Sequence, residues 1–434
     1  MNEQRGRSTN AHTASVVRQR AHHPDYRIAA YVGVLMLLGL IVMYAIGPQR
    51  AQMLNVAAGT EGYSSMFFVV RQVISLAVAL AGFVIMSLVP LATLRDNAGK
   101  LLIAAFAVGG LLFLLGNVLH AEQVTQCSLG ACRWFKLGPL GTFQPAELLK
   151  FAALIFVARF LAERVRQGNV SDWQASLQPL MILVAAAMVM VIIAQKDMGT
   201  GITLIAIVAA MLLVANIELK KAALLFAGLL AAGVLLIVTA PHRIERVVTF
   251  LTADDSSAVL NRSENYHTFH AKIAIGSGGL FGVGIGNSVQ ATGYLPEAIN
   301  DSVFAIIGEI TGFVGVLFVI GLFTGLLLRI LRVAEQLQDP MQQLLAAGVF
   351  GWVASHVVLN IASMIGVFPL TGITLPLLSF GGTSMFFIAS AIGIVFAASR
   401  HTSHQLTPQE VRYADNGRRR GIGRTRYAGR RSTR

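Results

Sequence analysis

Three carboxylates crowd one short stretch of the chain: Glu297, Asp301 and Glu309, in a run that opens Tyr294-Leu295-Pro296-Glu297-Ala298. Carboxylates held this close raise the pKa of at least one of their number, and a carboxylate poised nearer neutrality is suited to taking a proton as a general base. Asp301 and Glu309 are eight positions apart, so a helix puts them roughly on one face. A plainer role for Asp301 is to cap that helix. Glu147 and Lys150, in Gln144-Pro145-Ala146-Glu147-Leu148-Leu149-Lys150, stand at i,i+3 and can neutralise each other. They read either as a structural ion pair that tolerates burial or as a cation for a phosphate with a carboxylate to orient it. Pro145 suits a first helical turn, and the helix dipole favours Glu147 just behind it. Asp197, in Gln195-Lys196-Asp197-Met198-Gly199-Thr200-Gly201, reads locally as the N-cap of the next helix.

The elements that must position these residues lie in lipid. Of 434 residues, 55% are hydrophobic and 13% charged, against about a quarter charged in a soluble domain. At roughly 20 apolar residues per crossing, the chain predicts an all-α, polytopic membrane protein of ten transmembrane helices. They fall at about 27–47, 67–90, 100–119, 145–163, 177–196, 200–217, 221–240, 301–331, 342–366 and 384–400. Continuous apolar runs argue against strands, because a membrane barrel alternates. Residues 1–26 read as a basic cytoplasmic tail, 27–400 as the membrane domain with a large extracytoplasmic loop at 241–300 between helices seven and eight, and 401–434 as an Arg-rich disordered tail. Arg95, Lys100, Arg159, Arg164, Arg166, Lys220, Lys221, Arg329 and Arg332 fall on the side of the two basic tails, which the positive-inside rule makes cytoplasmic. The carboxylates then share the outer side. A charge at the bilayer centre costs about 2.5–3.5 kcal/mol, so each needs a partner or a function.

The net charge of +13 sits mostly in the tails and has no aromatic-interleaved basic surface, which argues against nucleic acid and for anionic lipid head groups. Cys127 and Cys132 fall in the outer loop after the third span, where a disulfide is permitted and two free thiols are the alternative; no further ligands stand at zinc-like spacing. The glycine-dense run from Gly276 to Gly286 carries no nucleotide fingerprint. It suits a re-entrant or interfacial segment packed in protein or lining a cavity. The outward connection from Phe368 to Ser384, with its prolines, hydroxyls and Gly381-Gly382, suits a broken-helix cavity lining.

Taken in order, these motifs resemble the SEDS family of shape, elongation, division and sporulation proteins, which includes FtsW and RodA. The residues that carry the likeness are Phe143-Gln144-Pro145-Ala146-Glu147, Asp197-Met198-Gly199-Thr200, Ala274-Ile275-Gly276-Ser277-Gly278-Gly279, Tyr294-Leu295-Pro296-Glu297-Ala298, and Pro369-Leu370-Thr371-Gly372 through Ser379-Phe380-Gly381-Gly382. It covers about 27–400. Gly286-Asn287-Ser288-Val289-Gln290 resembles the FtsW branch, Tyr266-His267 the RodA branch, and the balance favours FtsW. The resemblance implies a peptidoglycan glycosyltransferase that polymerises lipid II at the outer face of the bacterial cytoplasmic membrane. A septal role in cell division follows if it is FtsW-like and a role in elongation if RodA-like. A class B penicillin-binding transpeptidase and other division proteins are the implied partners. The family's essential aspartate falls on Asp301, its fourth-span glutamate and lysine on Glu147 and Lys150, and its Asp-Leu-Gly-Thr aspartate on Asp197; Gln144, Glu297, Glu309 and Ser379 complete the expected substrate-binding set. The chain departs from the family pattern at Ile299-Asn300, where His-Thr is usual, at Ser302 for phenylalanine, at Ile310 for a frequent glutamate, and at His270-Ala271 for Gln-Ser.

On that reading a sugar 4-hydroxyl attacks the anomeric carbon of a second lipid-linked sugar, with Asp301 as base, and expels undecaprenyl diphosphate. The leaving group calls for positive charge from Lys150, from Arg243 or Arg246, or from a Mg or Mn ion held by carboxylates. Two other readings use the same residues: a flippase or transporter of a lipid-linked precursor, and a non-catalytic scaffold.

Overall fold

The computed structural model describes residues 23–402, except 60–61, 129–130, 139–140, 219, 222, 229–230 and 232–262. Helices α1 (Tyr26–Ala58), α2 (Phe67–Leu88) and α3 (Leu91–Phe113) come first, the last prolonged by a wider turn to Val118. A small antiparallel sheet follows, with β1 (Thr125–Ser128), β2 (Ala131–Lys136) and β3 (Thr142–Phe143) in that order. Then come α4 (Pro145–Gln167), α5 (Trp173–Ala194), α6 (Met198–Val214), α7 (Ser263–Ser277), α8 (Val303–Gln336), α9 (Pro340–Met364) and α10 (Gly382–Ala398).

Among the described helices, seven are long and apolar enough to cross a membrane: α1, α2, α5, α8, α9, α3 with its extension to Val118, and α10 with the turn that prolongs it to His401. α6 is apolar but shorter, at 17 residues. α4 is long enough, yet it carries Arg159, Glu163, Arg164 and Arg166 in its second half. The expected span at 221–240 falls largely outside the described residues, as do residues 241–262 of the expected loop and most of both tails; 223–228 are helical. Leu37, Ile41, Ile74, Leu80 and Ile85 are exposed on α1 and α2, as suits helices facing lipid. The core runs through Leu154 and Ile155 of α4, Met211 of α6, Trp352 of α9 and Val395 of α10.

Three features differ from the reading of the sequence. The connection after α3, expected on the outer side, is the small sheet, where strands were not expected. Its strands, of four, six and two residues, are too short to carry the signature that periodicity detects. In it Cys127 and Cys132 face each other across the strands and are disulfide-bonded, which settles the open pairing. Second, the end of the expected long loop is not loop: Ser263–Ser277 forms a helix.

Third, α8 is broken at Gly312, whose backbone (φ 67°, ψ −166°) only glycine adopts readily. A break exposes carbonyls and amides that need partners at membrane depth. The glycine-dense run supplies them backbone to backbone: Val283 and Gly284 donate to the carbonyls of Glu309 and Ile310, while Phe313 and Val314 donate to those of Gly279 and Leu280. A Cβ on Gly278 or Gly282 would strike the carbonyls of Gly308 and Ile310. The glycines are therefore explained by close approach of two chain segments.

Candidate active site

The N-terminal ends of α4, α6, α8 and α10 gather at one end of the bundle, and the functional residues expected from sequence occupy two polar clusters there. In the first, Lys150 is fully buried and its Nζ lies 2.8 Å from Glu147 Oε1 and 3.2 Å from His356 Nε2. Trp352 donates to the same ring nitrogen at 3.2 Å. With Nε2 accepting, the proton of His356 is on Nδ1, which donates to Thr374 O at 3.2 Å. Lys150 thus gains a partner from α9, through which it is tied to the 368–384 connection. Glu147 Oε2 is buried without a hydrogen-bond partner.

Asp197 caps α6, accepting from Thr200 N at 3.0 Å, and its other oxygen accepts from Thr200 Oγ1 and from Gln144 Nε2 at 2.9 and 3.0 Å. The cap reading therefore holds, and Gln144 is joined to it. Arg133 of β2 donates to the carbonyls of Gln195 and Lys196, so the sheet braces this turn. Ser379 accepts from Leu375 N at 2.9 Å, closing its own turn.

The second cluster surrounds Asp301, in the turns that lead into α8. The cap of α8 falls on Ser302 and uses no side chain, so Asp301 is not a capping residue. Its carbonyl accepts from Asn360 Nδ2 at 2.6 Å, and the same amide donates to Ile373 O at 2.7 Å. Ile299 O accepts from Phe380 N. Asn360 stands one helical turn beyond His356 on α9, so that helix ties both clusters to one connection. Asp301 Oδ1 is buried and has no donor. Burial, then the neighbouring Glu297 charge, push the carboxyl up to about 7, against hydrogen bonds from its own turn that hold it down. Glu297 holds a left-handed backbone (φ 49°) and accepts from Asn300 Nδ2.

Glu309 does not join Asp301. Its oxygens accept from Ser288 Oγ at 2.5 Å, Val289 N at 2.9 Å and Gln290 N at 3.2 Å, pinning the end of the glycine-dense run to α8. Eight residues along an ideal helix share a face, but Asp301 precedes the helix and its turn aims it elsewhere. Sequence reasoning missed His356, Trp352 and Asn360. A histidine and an asparagine at i,i+4 in an apolar run were the available signal. Among the described residues, no three His, Cys, Asp or Glu side chains come together as a set able to hold a metal ion.

Fold and site together define a polytopic helical membrane protein with acid–base groups gathered at one end of its bundle. Residues 26–404 match the family of FtsW, RodA and SpoVE, described as cell cycle proteins, and the chain belongs to that family, the SEDS proteins expected from its motifs. It is 31% identical over 383 residues to stage V sporulation protein E of Bacillus subtilis, covering 88% of this chain and 98% of that one. It is 34% identical over 375 residues to the probable peptidoglycan glycosyltransferase FtsW of Thioalkalivibrio sulfidiphilus, covering 86% and 88%. Its fold is similar to the rod shape determining protein RodA of Thermus thermophilus, with a TM-score of 0.60 at 23% identity over 88% of this chain and 98% of that one. It is also similar to a chain of a peptidoglycan synthase complex that coordinates polymerization and crosslinking, with a TM-score of 0.64 at 24% identity, covering 87% and 98%.

Proposed function

We propose that this chain is a peptidoglycan glycosyltransferase that polymerises lipid II at the outer face of the bacterial cytoplasmic membrane, in cell division. Family membership supports the reaction class, and the FtsW relatives carry that activity in their names. The observation that carries the assignment of roles is Asp301: a buried carboxylate oxygen with no donor, beside a second carboxylate, at the end of a membrane bundle.

In the proposed reaction the sugar 4-hydroxyl gives its proton to Asp301 as its oxygen bonds to the anomeric carbon of the second sugar. The bond from that carbon to the diphosphate breaks, and undecaprenyl diphosphate leaves with the electron pair. Lys150, neutralised on one side by Glu147, is the proposed cation, joined to the second cluster through α9; Arg243 and Arg246 lie outside the described residues. Among the described residues no ligand is assigned to a Mg or Mn ion, because the carboxylates of the two clusters are not assembled as a set. Gln144, Asp197, Glu297 and Ser379 shape the walls around these groups, while Glu309 anchors the end of the glycine-dense run to α8. A class B penicillin-binding transpeptidase is the proposed partner, in line with the complex that one structural neighbour forms.

Purified protein, with such a partner, is given lipid II in detergent. Wild type is expected to make glycan polymer and Asp301→Asn none, at equal expression and partner binding. Full polymerase activity in Asp301→Asn would remove the base. A flippase makes no polymer without a bilayer, so the same assay separates that alternative.

A further inference from the structure

One contact beside Asp301 is not used by the reaction above. His267, buried on α7, places Nε2 2.5 Å from Ser302 Oγ. The Ser302 hydroxyl, in turn, donates to Pro296 O at 2.9 Å. A hydroxyl has one proton and two lone pairs. With that proton on the carbonyl side, the histidine is the donor and carries its own proton on Nε2, a tautomer assigned from the network. Ser302 is fully buried, and its hydroxyl makes no cap for the helix it begins. Its hydroxyl also bears on the Asp301 carboxyl, as one of the groups that favour the charged form. The hydroxyl proton can turn to Pro296 O or to that carboxylate, but not to His267 while Nε2 is protonated.

We propose that His267 is a positioning residue for the Asp301 base and acts through Ser302, holding the hydroxyl as an acceptor so that its own proton stays available to the carboxylate. The inference rests on Asp301 being the base of the proposed polymerase. Burial pushes the imidazole down to about 4, against the Glu297 charge, so it remains a neutral single donor wherever Asp301 titrates. The other titratable neighbours are engaged elsewhere. On α7, His270 meets Gln290 Oε1 at 2.8 Å and its ring lies against Tyr266 and Tyr294. On α9, His356 faces Lys150 and Thr374 O. Glu297 is held by Asn300, and residues 369–380 contain no ionisable side chain.

The test is polymer formation from lipid II, followed against pH, for His267→Leu, His267→Gln, Ser302→Ala and the double variant His267→Leu/Ser302→Ala. His267→Leu and Ser302→Ala are each expected to lower kcat about tenfold with little change in KM, and to move the acid limb upward by about one pH unit. The double variant should be no worse than Ser302→Ala alone, since the two act in series. His267→Gln, which keeps an amide donor of similar reach, should recover most of the rate. Additive losses in the double variant, or a His267→Leu limb that stays where wild type has it, would overturn the inference. Ser302→Ala and His267→Gln keep the test open should His267→Leu fail to fold. Asp301→Asn is run beside them: if it retains full activity the base itself is wrong, whereas its loss with additive His267 and Ser302 effects removes only the positioning role.

Discussion

Asp197, Asp301 and Glu309 differ little as chemistry, and their surroundings make three different groups of them. Asp197 spends its oxygens on Thr200 and Gln144, and Glu309 spends its own on residues 288–290. Asp301 alone of the three keeps a buried oxygen without a donor. A base works only in its charged form, and burial with the Glu297 field pushes Asp301 up to about 7, so the protonated, idle form dominates below that pH. Polymerisation should rise as pH increases through about 7 and then level off, measured as kcat/KM between about pH 5.5 and 8.5. A rate already flat at the acid end would take the base role from Asp301. For Lys150 the expectation concerns stability. Lys150→Met leaves the Glu147 charge buried without its cation, which should cost about 3–5 kcal/mol, while Glu147→Gln with Lys150→Met should regain most of it. Thermal unfolding in detergent measures both, and a single variant that melts with wild type would show that the pair holds nothing.

At the scale of elements, the site is made by irregular backbone laid against regular helices. Lys196, Glu297 and Leu377 all hold left-handed backbone (φ 53°, 49° and 63°), and each lies in a connection that builds one of the two clusters. Such residues persist only where the surroundings over-determine them. The break in α8 belongs to the same construction. Gly312→Ala should lose about 3 kcal/mol or more, because its backbone is closed to alanine and a Cβ would strike Gly282 N and the Leu280 backbone. Gly321→Ala, further along α8 with nothing within 4 Å of the new Cβ, should be neutral or gain up to about 1 kcal/mol. Melting of the two variants side by side decides it, and equal melting would mean that the break can be absorbed.

Over the whole molecule, charge is divided between the two ends of the bundle. Opposite the acidic clusters, the backbone amide of Asp25 before α1 donates to Ser399 Oγ at 2.9 Å, and the Asp25 carboxylate pairs with Arg329 at 3.6 Å, so the start of α1 meets the end of α10. Arg166 pairs with Asp339 at 2.5 Å at that same end. Both ends of the described chain thus emerge together among arginines, which supports a cytoplasmic placement for the two termini. A reporter that fluoresces only in the cytoplasm, fused at the C-terminus, should be bright. A cysteine in place of exposed Asn287 should react with a membrane-impermeant maleimide in intact cells. A dark reporter with an unlabelled Asn287→Cys would invert the topology.

The helical membrane class, most of the expected spans, and the local readings of Asp197 as a cap and of Glu147 with Lys150 as an ion pair were legible in the sequence, and the structure bears them out. Each depends on lipid as solvent or on residues within one helical turn, and so is legible locally. The sequence also marked the stretch holding Asp301, through crowding of carboxylates and motif order. It could not say which carboxylate would be left without donors. That depends on contacts between residues far apart in the chain: His267 with Ser302 across 35 positions, Asn360 with Asp301 across 59, and His356 with Lys150 across 206. Glu309 and the glycines looked like site residues until packing showed them repairing a broken helix. Only tertiary structure decides such cases, because a polar group's role is set by which partners reach it, and those partners come from other helices.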